Sequence, residues 1–176
     1  TADIVAEKQI NKLSGGYDGG GFDLQVNDQA VCYKIYGHVT FKNINLVQHG
    51  GNATILLWFP DDSTGYGCDF ENINIIGDPV SVNIGNFGFL ICNALYTSGS
   101  NTVVYNLKNI TNNVDIENGG NCTSPFIGYG PCFNAQTTVY YENCVNNATI
   151  VGTTYVGFLY GNPSAIGSLV NGKLEV

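Results

Sequence analysis

The 176-residue sequence contains no arginine, no methionine and only six lysines. Charged residues make up 11% of the chain, and its formal net charge of -8 reflects how few cations it has. A nucleic-acid or acidic membrane partner requires a basic surface that neutralises phosphates. Apolar runs are also short, well below the ~20 residues that span a bilayer. We therefore expect neither nucleic-acid binding nor membrane insertion.

Residues that favour helices are scarce too, whereas glycine, asparagine and tyrosine are abundant. This composition predicts an all-β fold, and 44% hydrophobic residues are enough for one core. Thr1 to Leu13 is the exception, because its apolar residues recur at helical spacing and predict a short helix. The glycine-rich residues 14–21 predict a flexible hinge. We thus expect an N-terminal extension with its hinge at 1–21 and one β domain at 22–176.

A short motif recurs four times, with an apolar residue, a charged residue and an asparagine in succession. The asparagines are 29, 37 and 34 residues apart, which is the spacing of a repeat architecture. A second apolar stretch follows each copy, and this pattern predicts that each unit forms one turn of a parallel β-helix. The helix would have about four coils and a height of ~19 Å. The motif copies are 41–45, 70–74, 107–111 and 141–145, and the second stretches are 55–58, 89–91, 126–128 and 158–160.

Parallel stacking would bring equivalent positions of the repeat into columns. We expect the asparagines to face inward and form a hydrogen-bonded ladder at a corner. The preceding column alternates in charge, so neighbouring coils would place opposite charges side by side. The ladder consists of Asn43, Asn72, Asn109 and Asn143, and the charge column of Lys42, Glu71, Lys108 and Glu142.

Residues 143–161 read Asn-Cys-Val-Asn-Asn-Ala-Thr-Ile-Val-Gly-Thr-Thr-Tyr-Val-Gly-Phe-Leu-Tyr-Gly. This unit resembles the GLUG-type repeat of cell-surface and adhesin-like proteins, which form parallel β-helices. The resemblance is close in this unit and diluted over the rest of residues 41–161. It implies an extracellular β-solenoid that serves display, adhesion or fibre building.

Six cysteines without the C-x-x-C spacing of zinc sites favour disulfides. Six cysteines allow 15 pairings. We expect a bond between Cys92 and Cys132, since both follow aligned apolar stretches. The pairs that then remain are Cys32 with Cys68 and Cys122 with Cys144.

Four Asn-x-Thr sequons point to the same oxidising compartment as the disulfides. We predict N-glycans on Asn52, Asn121 and Asn147, and little glycan on Asn109 because the ladder gives it an inward role. No cofactor or metal is expected apart from these glycans. The predicted location is extracellular, either secreted or on a cell-surface appendage.

Catalytic residue patterns are weak. The acidic residues after Pro60 are typical of a solvated turn, and neither histidine accompanies a nucleophile motif. We therefore expect no enzyme. The densest acidic group is Asp61, Asp62, Asp69 and Glu71, and the histidines are His38 and His49.

Two kinds of ligand surface remain open as alternatives. Aromatic residues could stack on sugars, although core positions are the more common place for aromatics in a solenoid. Threonine arrays could bind ice, but the threonines here do not repeat strictly. The sugar candidates are Trp58, Tyr66, Tyr96 and Tyr129, and the threonines are Thr102, Thr137, Thr138, Thr153 and Thr154.

A solenoid this short leaves two open ends, each with unpaired strand edges. We therefore predict a structural subunit that assembles head to tail into an extracellular glycoprotein fibre. Because Glu142 ends the charge column and Lys42 begins it, a following copy would continue the alternation. The N-terminal segment could add a strand to its neighbour. The alternative is a carbohydrate-binding or polysaccharide-cleaving β-helix module of a surface protein, with ice binding third.

Overall fold

The fold was analysed in a computed structural model, which describes residues 4–6, 10–26, 30–50, 53–59, 67–93, 103–129 and 137–158. These ranges contain sixteen β-strands and no helix. The strands are β1 Ile4–Ala6, β2 Ile10–Asp18, β3 Asp23–Val26, β4 Ala30–Gln48, β5 Ile55–Phe59, β6 Cys68–Gly77, β7 Val80–Val82, β8 Asn86–Phe87, β9 Ile91–Asn93, β10 Val103–Asn112, β11 Ile116–Asn118, β12 Cys122–Thr123, β13 Ile127–Tyr129, β14 Thr137–Asn146, β15 Ile150–Gly152 and β16 Tyr155–Val156.

All strand pairs are parallel, and they join strands that are distant in sequence. The long strands stack in the order β2, β4, β6, β10, β14. Two three-stranded sheets, β7–β11–β15 and β8–β12–β16, stack beside them. β4 bends at Gly37, whose φ is 91°, and its first half starts a further row through β5, β9 and β13. The all-β, solenoid-like architecture agrees with the sequence prediction.

The core consists of columns in which like residues lie directly above one another. Phe41 pairs with Phe70, Phe70 with Leu107 and Leu107 with Tyr141, and all four are buried. The rings of Phe41 and Phe70 are stacked, with centroids 5.6 Å apart. Fully burying one such side chain contributes about 1.5–3 kcal/mol. The predicted register of the repeat is therefore confirmed for this column. A second buried column contains Ile44, Ile73 and Ile110 and ends at half-buried Cys144.

The repeated asparagine makes the corner of four long strands, β4, β6, β10 and β14. Its φ lies between 52° and 55° in all four copies, a left-handed conformation that asparagine adopts more readily than most residues. Strand pairing skips this position and resumes at the next residue. Two consecutive side chains, the charged residue and the asparagine, therefore both point away from the core. The asparagines are Asn43, Asn72, Asn109 and Asn143.

The N-terminal helix prediction was wrong, because residues 4–6 and 10–18 form β1 and β2. β2 pairs with β4 along nearly its whole length, and β1 pairs with β3. Pairing with an open sheet edge outweighs the weak helical preference of so short a stretch. The hinge prediction was also wrong. Residues 14–18 lie within β2, and Gly19 packs so closely that an added Cβ would lie 2.6 Å from the Asn43 carbonyl oxygen.

Candidate functional site

The asparagine corners form a continuous side-chain ladder. The Nδ2 atom of each donates to the Oδ1 atom of the one before, at 3.1 Å for Asn143 to Asn109, 2.9 Å for Asn109 to Asn72 and 3.0 Å for Asn72 to Asn43. Asn43 in turn donates to Asp18 Oδ1 at 3.0 Å. Asn72, Asn109 and Asn143 are exposed, however, and Asn43 is half-buried, whereas the sequence predicted the ladder to face inward. The left-handed corner is the reason, since it turns the asparagine outward beside its charged neighbour.

The charge column has the predicted register and one member more than expected. Asp18 pairs with Lys42 at the start of the stack, and its carboxylate lies 3.3 Å from the lysine Nζ. Lys108 and Glu142 form an ion pair at 2.9 Å at the other end. These pairs are exposed and therefore add little stability individually. The full column is Asp18, Lys42, Glu71, Lys108 and Glu142.

Sequence reasoning missed Asp18 because its glycine-rich surroundings indicated a hinge. The available signal was that Tyr17-Asp18-Gly19 follows the motif order of aromatic, charged and turn residue. Among the described residues, the column that includes Asp18 begins and ends in a carboxylate. A second copy in the same register would thus place like charges together. The expected continuation from Glu142 to Lys42 across a joint was therefore wrong.

The electrostatics at the two ends differ. The Asn43 amide, followed by the Gly20 N–H and Lys42, lowers the pKa of the Asp18 carboxyl. The hydrogen bond to Glu142 raises the pKa of Lys108. Both effects favour the charged forms of Asp18 and Lys108.

The outer face changes character at the last coil. Three outward columns that are polar in the earlier coils end in an apolar residue, and each of these is exposed: Tyr140 at 43%, Val145 at 45% and Val151 at 51%. Within the described residues, the outer edges of β14, β15 and β16 have no paired strand. The columns are Thr40-Asp69-Asn106-Tyr140, Asn45-Asn74-Thr111-Val145 and Ser81-Glu117-Val151.

We call the exposed apolar residues of the last coil the terminal apolar belt. Of the nine exposed large hydrophobic residues in the described part of the chain, six belong to it, although it occupies only residues 140–158. Clustered exposed apolar residues of this kind mark interaction surfaces more often than scattered ones do. The belt consists of Tyr140, Val145, Val151, Tyr155, Val156 and Phe158.

A shallow cleft of about 310 Å³ runs along the sheet β7–β11–β15. Asp115 and Glu117 line it beside Ser81 and Val151. The Asp115 carboxylate accepts a 2.7 Å hydrogen bond from the Thr149 N–H. The cleft could therefore offer carboxylate oxygens to a polar ligand.

Of the residues weighed for catalysis that the structure describes, His38 and Asp69 contact each other, and the others lie apart from them. Asp69 accepts from Asn106 at 2.6 Å and lies 2.8 Å from His38 Nε2, on the outer face of the long strands. Glu71 belongs to the charge column, and His49 lies at the end of the strand that follows the corner. No three potential metal ligands cluster anywhere in the described ranges. Asp61 and Asp62 lie outside those ranges.

The aromatic and threonine candidates are dispersed as well. Trp58 and Tyr129 are half-buried on β5 and β13, while Thr153 and Thr154 are exposed between β15 and β16. Thr138 is half-buried on β14. Tyr66, Tyr96 and Thr102 lie outside the described residues.

The disulfide prediction was wrong for the described cysteines, because Cys32, Cys68, Cys92, Cys122 and Cys144 are all free. The partner predicted for Cys92, Cys132, lies outside the described residues. A disulfide requires the Cα atoms of the two cysteines to lie within about 7 Å of each other.

Cys32 and Cys68, a predicted pair, do not lie in the same column of stacked strands. Cys32 lies opposite Leu57, whereas Cys68 lies opposite Val39 and Tyr105. Burial instead keeps the thiols protonated: it raises the pKa of Cys32 to about 11 and that of Cys92 to about 12. The same mismatch separates Cys122 on β12 from Cys144 on β14.

The sequons occupy different environments. Asn121 and Asn147 are exposed, although the Asn147 amide donates to Asn113 at 2.9 Å. Asn109 is engaged on both sides by the ladder. Asn52 lies outside the described residues. A glycan on Asn109 would therefore have to replace a ladder hydrogen bond or be accommodated around it.

No family model matches this chain, and comparisons with curated proteins and with solved structures gave no match. The resemblance to the GLUG-type repeat therefore rests on residues 143–161 themselves. Within the described residues there is also no helix long and apolar enough to cross a membrane.

Proposed function

We propose that this protein is a non-enzymatic structural subunit of an extracellular glycoprotein fibre, assembled head to tail through the ends of its solenoid. The observation that carries the proposal is the terminal apolar belt. Three of its residues, Tyr140, Val145 and Val151, replace polar ones found in the same columns of earlier coils, so lack of a neighbouring coil does not by itself explain their chemistry. A second copy that covers them would remove this apolar surface from water.

The strand edges support the same arrangement. β14 and β2 are the outermost members of the long-strand stack, and in the described residues each pairs on one side only. An edge strand of nine or ten residues leaves roughly half its backbone groups unpaired, which makes it a template for another strand. Two different ends that meet give a heterologous contact, and such contacts produce open filaments when the rotation does not close.

The expected dimensions change with the N-terminal finding. The sequence indicated four coils, but β2 adds a fifth long strand below β4. If each long strand marks one coil, five coils at a spacing of about 4.8 Å would give an axial rise of about 24 Å per subunit. This rise is a distinctive property of the proposed fibre.

N-glycans would keep such fibres apart laterally. Only 11% of the residues are charged, so charge repulsion alone gives limited protection against side-to-side association. Exposed Asn121 lies one coil before the last, whereas exposed Asn147 lies in the last coil, between Val145 and Val151 of the terminal apolar belt. A glycan on Asn121 therefore agrees with end-to-end growth, and one on Asn147 would have to be accommodated at the joint.

The test is a matched pair of lysine substitutions within one column. Val151→Lys puts a charge into the terminal apolar belt, whereas Ser81→Lys puts the same charge two coils earlier in that column. Light scattering and negative-stain electron microscopy should show filaments for the parent and Ser81→Lys, and loss of filaments for Val151→Lys. Monomers at every concentration of the parent would overturn the proposal, and so would equal assembly of both variants.

A carbohydrate-binding or polysaccharide-cleaving module is the second candidate function, favoured by the cleft that contains Asp115 and Glu117. Titration calorimetry with soluble oligosaccharides would test it. Binding that is lost in Glu117→Gln while the protein stays monomeric would favour this module over the fibre. Binding that is unchanged in that variant would exclude the cleft as the site.

A further inference from the structure

Granted the proposed fibre, the ends of the stack also indicate which strands would meet. β2 begins the long-strand stack, and β14 ends it with the same polarity. If β2 of a second copy occupied the next position after β14, the register of the existing pairs would place its Gly16 opposite Tyr140. The same register would place its Tyr17 opposite Tyr141.

This register gives complementary shapes at the outer face. Gly16 has no side chain, and the nearest atom to an added Cβ would be the Thr40 carbonyl oxygen on the neighbouring strand, at 3.5 Å. Tyr140 is 43% exposed beside that position. An aromatic ring that covers a glycine on the neighbouring strand is a known stabilising cross-strand pair. The joint would thereby cover one member of the terminal apolar belt.

The same register creates one conflict. Glu142 would lie opposite Asp18 of the second copy, and like charges directly opposite each other destabilise paired strands. The ladder meets the same difficulty. Every amide donates toward the N-terminal end, so Asn143 presents Oδ1 at the joint, where the Asp18 carboxylate can only accept.

We infer that β14 of one copy pairs with β2 of the next in the register that continues the stack, and that carboxylates at this joint make assembly acid-favoured. Protonation of one of the two opposed carboxyls removes the repulsion. Association that takes up a proton strengthens as the pH falls. Assembly should therefore increase as the pH falls from 7 toward about 4, the region where ordinary carboxyl groups bind protons.

The charged groups around the joint do not cancel the effect. Within its own chain Glu142 faces Lys108, which also neighbours Glu71. Asp18 faces Lys42. Each carboxylate thus already has its lysine on the side away from the joint, while the joint itself brings only oxygen atoms together.

The experiment measures the critical concentration for filament growth at pH 7 and pH 4.5 in the parent, Glu142→Gln and Glu117→Gln. Glu117→Gln is the matched control, because it removes one exposed carboxylate in the middle of the stack. The parent should assemble better in acid. Glu142→Gln should lower the critical concentration at pH 7 by up to about fivefold, the factor of one like-charge cross-strand pair. Glu117→Gln should resemble the parent.

The register itself is tested by a double variant, Gly16→Cys with Tyr140→Cys, which should form disulfides between copies because opposed positions lie within bonding reach. Gly20→Cys with Tyr140→Cys is the control and should not. No filaments at any pH would overturn the fibre itself. Filaments without pH dependence, or without the 16–140 cross-link, would overturn the joint while leaving the fibre intact. Hydrogen exchange that shows β14 edge amides protected in the monomer would assign that edge to the same chain and overturn the joint as well.

Discussion

Asn72 offers the sharpest test of the corner geometry. Its left-handed φ of 54° and its two ladder hydrogen bonds stabilise the same turn by different means. Asn72→Ala removes both hydrogen bonds, which contribute about 0.5 kcal/mol each at an exposed site. It also forces alanine into a left-handed conformation, at a cost of roughly 1–2 kcal/mol.

Asn72→Gly loses the same hydrogen bonds but adopts the left-handed conformation freely. Its additional cost is the greater entropy of glycine in the unfolded chain, about 0.5–1 kcal/mol. We therefore expect Asn72→Ala to lower the free energy of unfolding by about 2–3 kcal/mol and Asn72→Gly by about 1.5–2 kcal/mol. For a chain of this length the alanine variant should melt about 5–10 °C lower.

Urea unfolding of both variants measures the difference, and Thr111 provides the control. Thr111 lies on β10 two residues beyond the corner, in a strand with ordinary extended geometry. There the order should reverse, with glycine more destabilising than alanine by about 0.5–1 kcal/mol. If alanine were the better residue at both positions, the left-handed corner would not be the source of the cost.

Three further predictions concern stability and modification. Burial raises the pKa of Cys92 to about 12, so the protonated thiol contributes fully to the free energy of unfolding below the unfolded thiol pKa near 8.5, and this contribution should be lost as the pH rises toward 12. Urea unfolding should therefore show a smaller decrease in the free energy of unfolding between pH 8 and pH 10.5 for Cys92→Ala than for the parent. Gly120→Ala should unfold or severely destabilise the protein, since its Cβ would collide with a carbonyl oxygen of the preceding coil, whereas Gly85→Ala has open space and should melt near the parent temperature. Glycopeptide mass mapping should find Asn121 occupied and Asn109 largely unmodified; full occupancy of Asn109 would contradict its role in the ladder.

The repeat motif was sufficient to predict the register of the long strands. An aromatic or leucine, a charged residue and an asparagine identify one corner per coil, and the columns through Phe70 and Glu71 follow directly. The motif could not show which way the asparagine faces. Strict alternation would put Asn72 inward after outward Glu71, and only its positive φ reveals that both point outward.

The N-terminal coil was harder to predict because its signals are local while its stabilisation is not. The spacing of Ile10 and Leu13 agrees with a helix, yet both residues pair with β4. Gly15 and Gly16 likewise appear flexible until an adjacent strand is present to pair with them. The terminal apolar belt could have been found from sequence only after all strands were aligned, since no single unit shows that a polar column ends in Val151.

The central claim is the head-to-tail fibre, and its axial rise is the most direct measurement. Helical reconstruction by cryo-electron microscopy of the concentrated full chain, at pH 4.5 and pH 7, would give this value. The account predicts filaments with one subunit per about 24 Å of rise and strands perpendicular to the filament axis, spaced about 4.8 Å apart. Monomers under both conditions, or filaments whose subunits contact one another side by side, would contradict it.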